Sequence, residues 1–342
     1  MQIKYGLNSL PSLLKSIGAT IVFVLVDEHT SKHCLPLIKK HIPVFTKISI
    51  KSGESNKNLQ TCEKVWQTLI QKNADRHSLL INLGGGVIND LGAFCASVYM
   101  RGIQFMNIPT TLLAMVDASI GGKTGIDYLA YKNMIGSFAN PEAICIDTIF
   151  LKTLPAPQLL SASAEIFKHA ILQGRNESKI HLEKKFSTFS DDNILSCIKK
   201  SVKYKLSIVA SDPKEAGDRK KLNLGHTIGH ALESYMMLYH KPMLHGEAVA
   251  LGLLAEAFIA HSDFDLDYNE FLKTVFWYDL NFKKPSLESV NLNTLIKLMR
   301  KDKKNRSATI RMVLPVGRGK VRTDIEVTEK QIMDGLKFVM AF

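Results

Sequence analysis

Ser78-Leu-Leu-Ile-Asn-Leu-Gly-Gly-Gly-Val-Ile-Asn-Asp90 holds a strand, a turn and the start of a helix. Residues 78–83 form a short apolar run, as a strand buried on both faces requires. Three glycines follow, and a helical pattern then runs over 87–100. That succession is the grammar of a parallel α/β sheet. It also leaves the first backbone N–H groups of the helix open to a phosphate at its positive end. The alternation continues on both sides. Residues 20–26, 44–50, 103–108 and 143–146 read as further buried strands, and 59–71 as a helix between them.

At Leu154-Pro-Ala-Pro157 two prolines interrupt the pattern. Beyond them 158–174, 191–211, 222–238, 245–261 and 291–301 carry helical periodicity, and only 310–315 reads as a strand. At about 150 residues per domain, a chain of 342 residues is expected to form two. The expected fold class is α/β: a Rossmann-like parallel-sheet domain over 1–155, a hinge near 155, and a mostly α-helical domain over 156–342.

Hydrophobic residues make up 46% of the chain and charged ones 22%, which excludes a disordered, collagen-like or coiled-coil protein. No apolar run reaches the length of about 18 residues that a membrane helix needs. The N-terminus, MQIKYGLNSL, lacks a secretory pattern, so a soluble cytoplasmic protein is expected. Cys34, Cys62, Cys95, Cys145 and Cys197 are odd in number and contain no CxxC pair, unlike a disulfide framework or a zinc-thiolate cluster. The formal net charge of +12 fits either nucleic acid or a small anionic substrate. The basic clusters at 219–221 and 301–306 are short and lack interleaved aromatics, so no nucleic-acid partner is expected.

Three segments can carry chemistry. Gly84, Gly85 and Gly86, ahead of Asp90, suit a diphosphate through their open backbone, although Asn89 stands where a GxGxxG fingerprint needs its third glycine. Acidic partners lie upstream, in Ser52-Gly-Glu-Ser-Asn-Lys57 and at Asp27. Next come Pro109-Thr-Thr111, Gly121-Gly-Lys-Thr-Gly125 and Lys132-Asn133. The spacing fails as a Walker loop, and the two lysines fit either an oxyanion pocket or a solvated loop. The third segment, Asn223-Leu-Gly-His-Thr-Ile-Gly-His230, sets two histidines on one helix face. His245-Gly-Glu247 opens another helix, and Ala164-Glu-Ile-Phe-Lys168 puts Glu165 and Lys168 one turn apart on a third. Two histidines and a carboxylate make a catalytic zinc-type site. Spacing by itself favours His226 with His230.

GGGVIND, RGIQFMNIPTTLLAMVDASIGGKTGID, KNMIG, LKTLP, AEIFKHA, NLGHTIGHALE and LHGEAVALG, in this order, resemble the 3-dehydroquinate synthase family over about residues 20–320. The resemblance implies a Rossmann-like domain and a helical domain with the active site in a cleft, in a homodimer. It also implies conversion of 3-deoxy-D-arabino-heptulosonate 7-phosphate to 3-dehydroquinate and phosphate, with catalytic NAD and one divalent zinc or cobalt ion. By position, Glu165, His226 and His245 would hold the metal, leaving His230 on the substrate side. Asp27, Ser52, Gly53, Glu54, Lys57, Gly84, Gly85, Gly86, Val87, Asp90, Thr110, Thr111, Asp117, Phe150, Lys152 and Thr153 would bind NAD, with Lys123 and Lys132 between cofactor and substrate. Asn133, Lys168, Lys205, Arg219 and Asn223 would bind substrate, joined by one lysine of Asp302-Lys-Lys304. Arg101 would reach the phosphate, from a second subunit where the two pair. Asn89 departs from the family's usual glycine and is expected to suit a left-handed backbone. Two other enzymes share much of this inventory: a sugar-phosphate cyclase with a different pocket, and a polyol dehydrogenase that releases NADH.

Overall fold

The alternating runs build a six-stranded sheet in which every neighbouring pair is parallel, in the order Gln2–Tyr5, Ala143–Ile146, Gln104–Pro109, Leu79–Gly84, Val22–Asp27, Thr46–Ile50. The computed structural model describes residues 1–129, 131–174, 184–239, 243–283, 287, 290–300, 309–317 and 320–342. These form two compact units, Met1–Pro155 and Ala156–Phe342.

In the first unit the strands are β1 (Gln2–Tyr5), β2 (Val22–Asp27), β3 (Thr46–Ile50), β4 (Leu79–Gly84), β5 (Gln104–Pro109) and β8 (Ala143–Ile146). The helices are α1 (Leu10–Ile17), α2 (Glu28–His33), α3 (Leu35–Ile38), α4 (Leu59–Gln71) and α5 (Gly86–Val98). All six residues of β4 are buried, which explains an apolar run interrupted only by Asn82, whose Nδ2 donates to Asn107 Oδ1 at 2.9 Å. Alternate residues Phe23, Leu25, Leu80 and Phe105 meet Cys62, Val65 and Leu69 of α4 and Leu91 and Phe94 of α5. β1 escapes a reading from hydropathy because it is a short edge strand with no buried residue.

The Gly121–Gly125 region leads into a hairpin. β6 (Lys123–Tyr128) and β7 (Tyr131–Phe138) pair as an antiparallel hairpin, with Gly125 opposite Gly136. A Cβ on Gly136 would lie 2.1 Å from the Thr124 carbonyl oxygen, so this glycine serves close strand approach.

The second unit contains α6 (Ala156–Gln173), α7 (Asp191–Ser211), α8 (His226–Tyr239), α9 (His245–Asp263), α10 (Tyr268–Asn281), α11 (Leu292–Arg300) and α12 (Glu329–Ala341). Pro157 sits in the first turn of α6, where its missing N–H has no intrahelical acceptor to lose. Residues 218–223 form a 3-10 turn, so the helix expected from 222 begins only at His226. The expectation of a single late strand is also corrected. β9 (Ile310–Gly317) pairs antiparallel with β10 (Lys320–Val327), whose outward residues are charged while Val327 is buried. α9 is buried almost all round, at the centre of the second core. Among the described residues no helix is long and apolar enough to cross a membrane.

Candidate functional site

In the first unit the expected cofactor residues collect where the strands end. Chain order reverses between β2 and β4, so Asp27 and Gly84 flank the point where open α/β sheets bind ligands. Gly85 precedes α5 without offering a side-chain cap, which leaves the first N–H groups of this helix open to an anion. A Cβ on Gly84 would fall 2.4 Å from Ile88 Cβ, and one on Gly85 would fall 3.0 Å from Thr111 Cγ2. Glycine is therefore required at 84 and tightly favoured at 85. Thr110 N–H donates to the Gly84 carbonyl at 3.0 Å, joining the two loops.

Asn89 overturns the left-handed expectation. It lies inside α5, and its Nδ2 donates to the carbonyls of Gly84 and Gly85, both at 2.8 Å. The side chain thus pins the loop that a glycine at 89 would leave to backbone geometry alone.

Lys57 gathers several expected residues. It is only 3% exposed, and its Nζ donates to Asp90 Oδ2 and to Asn133 Oδ1, both at 2.6 Å, with Glu54 Oε1 at 4.0 Å. Burial pulls the Lys57 pKa down, but Asp90 and Glu54 more than offset this and hold it above its ordinary value. Asp127, absent from the sequence reading, accepts from Asn133 N–H at 2.8 Å and holds Asn133 at its positive φ. Asp27 caps α2 through Thr30 N–H at 2.7 Å, while Glu28 accepts from the backbone N–H and hydroxyl of Ser52. Lys123 and Lys132 lie on the hairpin, and Asp117 on the short helical turn Ala114–Ala118. Phe150 is buried and Lys152 and Thr153 exposed on the turn Thr148–Thr153.

Arg101 is not brought to this loop. It is exposed beyond the far end of α5, and thirteen helical residues separate it from Gly86 by about 20 Å.

In the second unit three helices converge. Glu165 of α6 is fully buried, ion-paired with Lys168, and neither of its oxygens has a well-directed hydrogen bond among the described residues. His226 Nε2 lies 3.3 Å and His245 Nε2 3.9 Å from Glu165 Oε1. The other nitrogens are engaged: His226 Nδ1 with the Leu224 carbonyl at 3.0 Å, and His245 Nδ1 with Glu233 Oε2 at 3.1 Å. A carbonyl or ionised carboxylate only accepts, so Nδ1 carries the proton in both rings, and in a neutral ring Nε2 presents a lone pair to Glu165. Burial pushes the His226 pKa down, reinforced by Lys168, to about 3, so the ring is neutral at pH 7. Burial pushes the Glu165 carboxyl up, but Lys168 and His226 more than offset it and hold it well below the usual range.

A lone pair aimed at a carboxylate oxygen is unfavourable unless a cation lies between them. For bonds of about 2.1 Å, the edge of a tetrahedral coordination shell is about 3.4 Å. The two nitrogen–oxygen distances bracket that value, so the donor set fits a zinc-sized divalent ion. His230, favoured by spacing, is not part of this group of three ligand atoms. Its ring centroid stands 5.1 Å from His226 and 5.8 Å from His245, so it flanks the cluster.

Of the expected substrate residues, Lys168 joins this cluster, and Arg219 and Asn223 stand shortly before His226 in the chain. Lys168 Nζ donates to the Leu222 carbonyl at 2.7 Å. Arg219 is 3% exposed, with Nη1 donating to the Pro213 carbonyl at 2.7 Å. Asn223 Nδ2 donates to Glu215 Oε1 at 2.7 Å, and Lys205 is buried on α7. Lys303 and Lys304 lie outside the described residues. Sequence reasoning missed Asp212, which accepts from the N–H groups of Ala216, Gly217 and Arg219 and shapes the turn that carries Arg219. The signal available for it was Asp-Pro at the end of a helix. Glu233 was also missed, although it ends the quoted NLGHTIGHALE.

The family model of the 3-dehydroquinate synthase N-terminal part matches residues 47–161, and that of the C-terminal part matches residues 162–305. The 3-dehydroquinate synthase of Parabacteroides distasonis is 38% identical over 334 residues, covering 97% of this chain and 94% of its own. That of Geobacillus kaustophilus is 37% identical over 331 residues, covering 94% and 88%. Among solved structures, 2-deoxy-scyllo-inosose synthase complexed with carbaglucose-6-phosphate, NAD+ and Co2+ has a TM-score of 0.88 at 20% identity, covering 99% of this chain and 96% of that one. The 2-epi-5-epi-valiolone synthase of Streptomyces hygroscopicus subsp. jinggangensis, with NAD+ and Zn2+ bound, has a TM-score of 0.86 at 24% identity over the same shares. These structures share the fold. The two family models together span most of the sequence, and relatives near 38% identity match it almost end to end; the chain belongs to the 3-dehydroquinate synthase family.

Proposed function

We propose that the chain converts 3-deoxy-D-arabino-heptulosonate 7-phosphate to 3-dehydroquinate and phosphate, with Glu165, His226 and His245 holding one divalent zinc or cobalt ion. The observation that carries this reading is the convergence of two imidazole Nε2 atoms on the buried carboxylate of Glu165. Residues 1–155 would bind NAD, and 156–342 the metal and most of the substrate. When bound, metal and NAD supply Lewis acidity at adjacent sugar hydroxyls and an oxidation reversed within the same turnover.

The chain's own residues position, charge-match and exclude water. The open N–H groups at the start of α5 take the NAD diphosphate, on a loop pinned by Asn89. Lys57 holds Asp90 and Asn133 rigid beside it, and Asp27, Ser52, Gly53 and Glu54 attend the adenosine half. Val87, Thr110, Thr111, Asp117, Phe150, Lys152 and Thr153 complete that site. Lys168, Lys205, Arg219 and Asn223, with His230, would bind and orient the substrate, and Lys123, Lys132 and Asn133 of the hairpin would add charge and hydrogen bonds for substrate and cofactor. The substrate's phosphate takes the proton that precedes its departure, so no side chain is required as general base.

A homodimer is part of the proposal. Val98, Met100, Tyr128, Tyr131, Met134 and Phe138 are all exposed, on the end of α5 and the hairpin that Ser97 and Ser137 tie together at 2.7 Å. Apolar patches of this kind cover one another in oligomers. Arg101 lies beside the patch and far from its own loop, so it would serve the second copy. Free, buried cysteines support a reducing, cytoplasmic compartment.

The test mixes the protein with the heptulosonate phosphate, catalytic NAD and zinc, following inorganic phosphate and NADH absorbance together. Phosphate release that a chelator abolishes, with no net NADH, is expected. NADH accumulating without phosphate would replace the proposal with a polyol dehydrogenase.

A further inference from the structure

The peptide between Leu224 and Gly225 is engaged at both ends. Its carbonyl accepts from His226 Nδ1 at 3.0 Å, and its N–H donates to Glu256 Oε2 at 2.5 Å. Glu256 is 0% exposed and stands eleven residues after His245 on α9. Eleven residues are close to three helical turns, so both side chains lie on the face of α9 that meets α8. The approach there is as close as backbones allow. A Cβ on Gly252 would lie 1.9 Å from the Gly225 carbonyl oxygen, and Gly225 itself has φ +80. Residue 225 is therefore held from three sides: by its own left-handed conformation, by Gly252 and by Glu256.

We propose that Glu256 is a positioning residue for the metal site, acting on His226 through this one peptide group. A carboxylate on the N–H side polarises the peptide and makes the Leu224 oxygen a stronger acceptor. The stronger acceptor fixes the His226 tautomer with its proton on Nδ1 and raises the basicity of Nε2, which faces Glu165. The carboxylate also lies at the positive end of α8, which lowers the cost of burying it. Removing the charge leaves the fold able to form and the ligand atoms present, but loosens and weakens one of them. Outer partners of this kind typically change metal affinity by about 10- to 100-fold.

This inference rests on the reading of Glu165, His226 and His245 as metal ligands, and the experiment separates the two. Zinc affinity is measured by competition with a chromophoric chelator for the unmodified chain, for His226→Ala, for Glu256→Gln and for Glu256→Ala. Metal-free melting temperatures are taken alongside. If the unmodified chain binds no zinc, or His226→Ala binds it undiminished, the ligand reading fails. If that control behaves, Glu256→Gln, which keeps the shape and can still accept the N–H, is expected to bind zinc at least about tenfold more weakly at a retained metal-free fold. The cobalt-substituted absorption band is expected to shift with it. Unchanged zinc affinity with a lowered melting temperature would make Glu256 a helix cap only and overturn the proposal. Should both Glu256 variants fail to fold, hydrogen exchange at Gly225 in the unmodified metal-free chain decides: strong protection is expected, and rapid exchange would refute the contact.

Discussion

Replacing Gly246 by alanine perturbs the metal cluster without touching a ligand. A Cβ there would lie 1.8 Å from the Ser161 carbonyl oxygen and 2.4 Å from its carbon, both backbone atoms of α6 that no rotamer can move. To reach ordinary contact, α6 and α9 have to separate by roughly 1.5 Å, because packed interiors have no slack to absorb it. Overpacking of this kind costs about 1–3 kcal/mol. Stretching the Gly246 N–H bond to Ser161 Oγ, now 2.9 Å, adds about 1 kcal/mol. The better helix propensity of alanine returns about 1 kcal/mol. The net loss is about 1–3 kcal/mol, a fall of roughly 2–12 °C in melting temperature for a unit of this size. Metal binding suffers more. Glu165 rides on α6 and His245 on α9, so their present 3.9 Å would open to about 5 Å, beyond the tetrahedral edge of about 3.4 Å. Zinc affinity is then expected to fall by about 100-fold. Thermal melting of the metal-free protein and chelator competition measure the two effects separately. A Gly246→Ala protein that melts with the unmodified chain and binds zinc within threefold of it would refute the reasoning about helix contact.

Three further outcomes follow from named contacts. His226→Ala is expected to lose bound metal and activity together while far-ultraviolet circular dichroism stays unchanged; metal content by elemental analysis checks it. Lys57→Met removes the buried cation that Asp90 and Asn133 share, costing about 3 kcal/mol and weakening NAD binding in a fluorescence titration, whereas zinc affinity should not move. The metal-free protein should lose stability as pH falls below about 6.5. With its folded pKa depressed to about 3, His226 stays neutral while the unfolded chain takes up a proton first, so its contribution is present above the unfolded value and disappears on acidification. Between pH 7 and 5 the loss is on the order of 2 kcal/mol from this group, and His226→Ala should melt with a visibly flatter pH profile.

Much of the fold was legible because hydropathy records local geometry. Strand β8 begins and ends where its apolar run does, and α7 spans the periodic segment 191–211. The glycine loop was legible too, since strand, glycines and helix succeed one another within the quoted segment. The hairpin at 123–138 was not, because its glycines look alike whether they spare a phosphate or a facing strand. Strand β10 does alternate, in Val-Arg-Thr-Asp-Ile-Glu-Val, but its charged outward face leaves too short an apolar pattern to stand out.

The sequence by itself determined the parallel sheet, the change to helices after residue 157, and the supply of histidines and carboxylates from which a metal site can be made. Only the tertiary structure decided which of them meet. His226 and His230 share a helix face, yet the atoms that converge on Glu165 belong to His226 and His245, on two different helices. The physical reason lies in the contacts between helices. Gly225, Gly229, Gly246 and Gly252 let α6, α8 and α9 approach until backbone touches backbone, and that approach selects the ligands. The same approach brings Glu256 to the Gly225 N–H. Periodicity within one segment carries no record of where another helix will cross it.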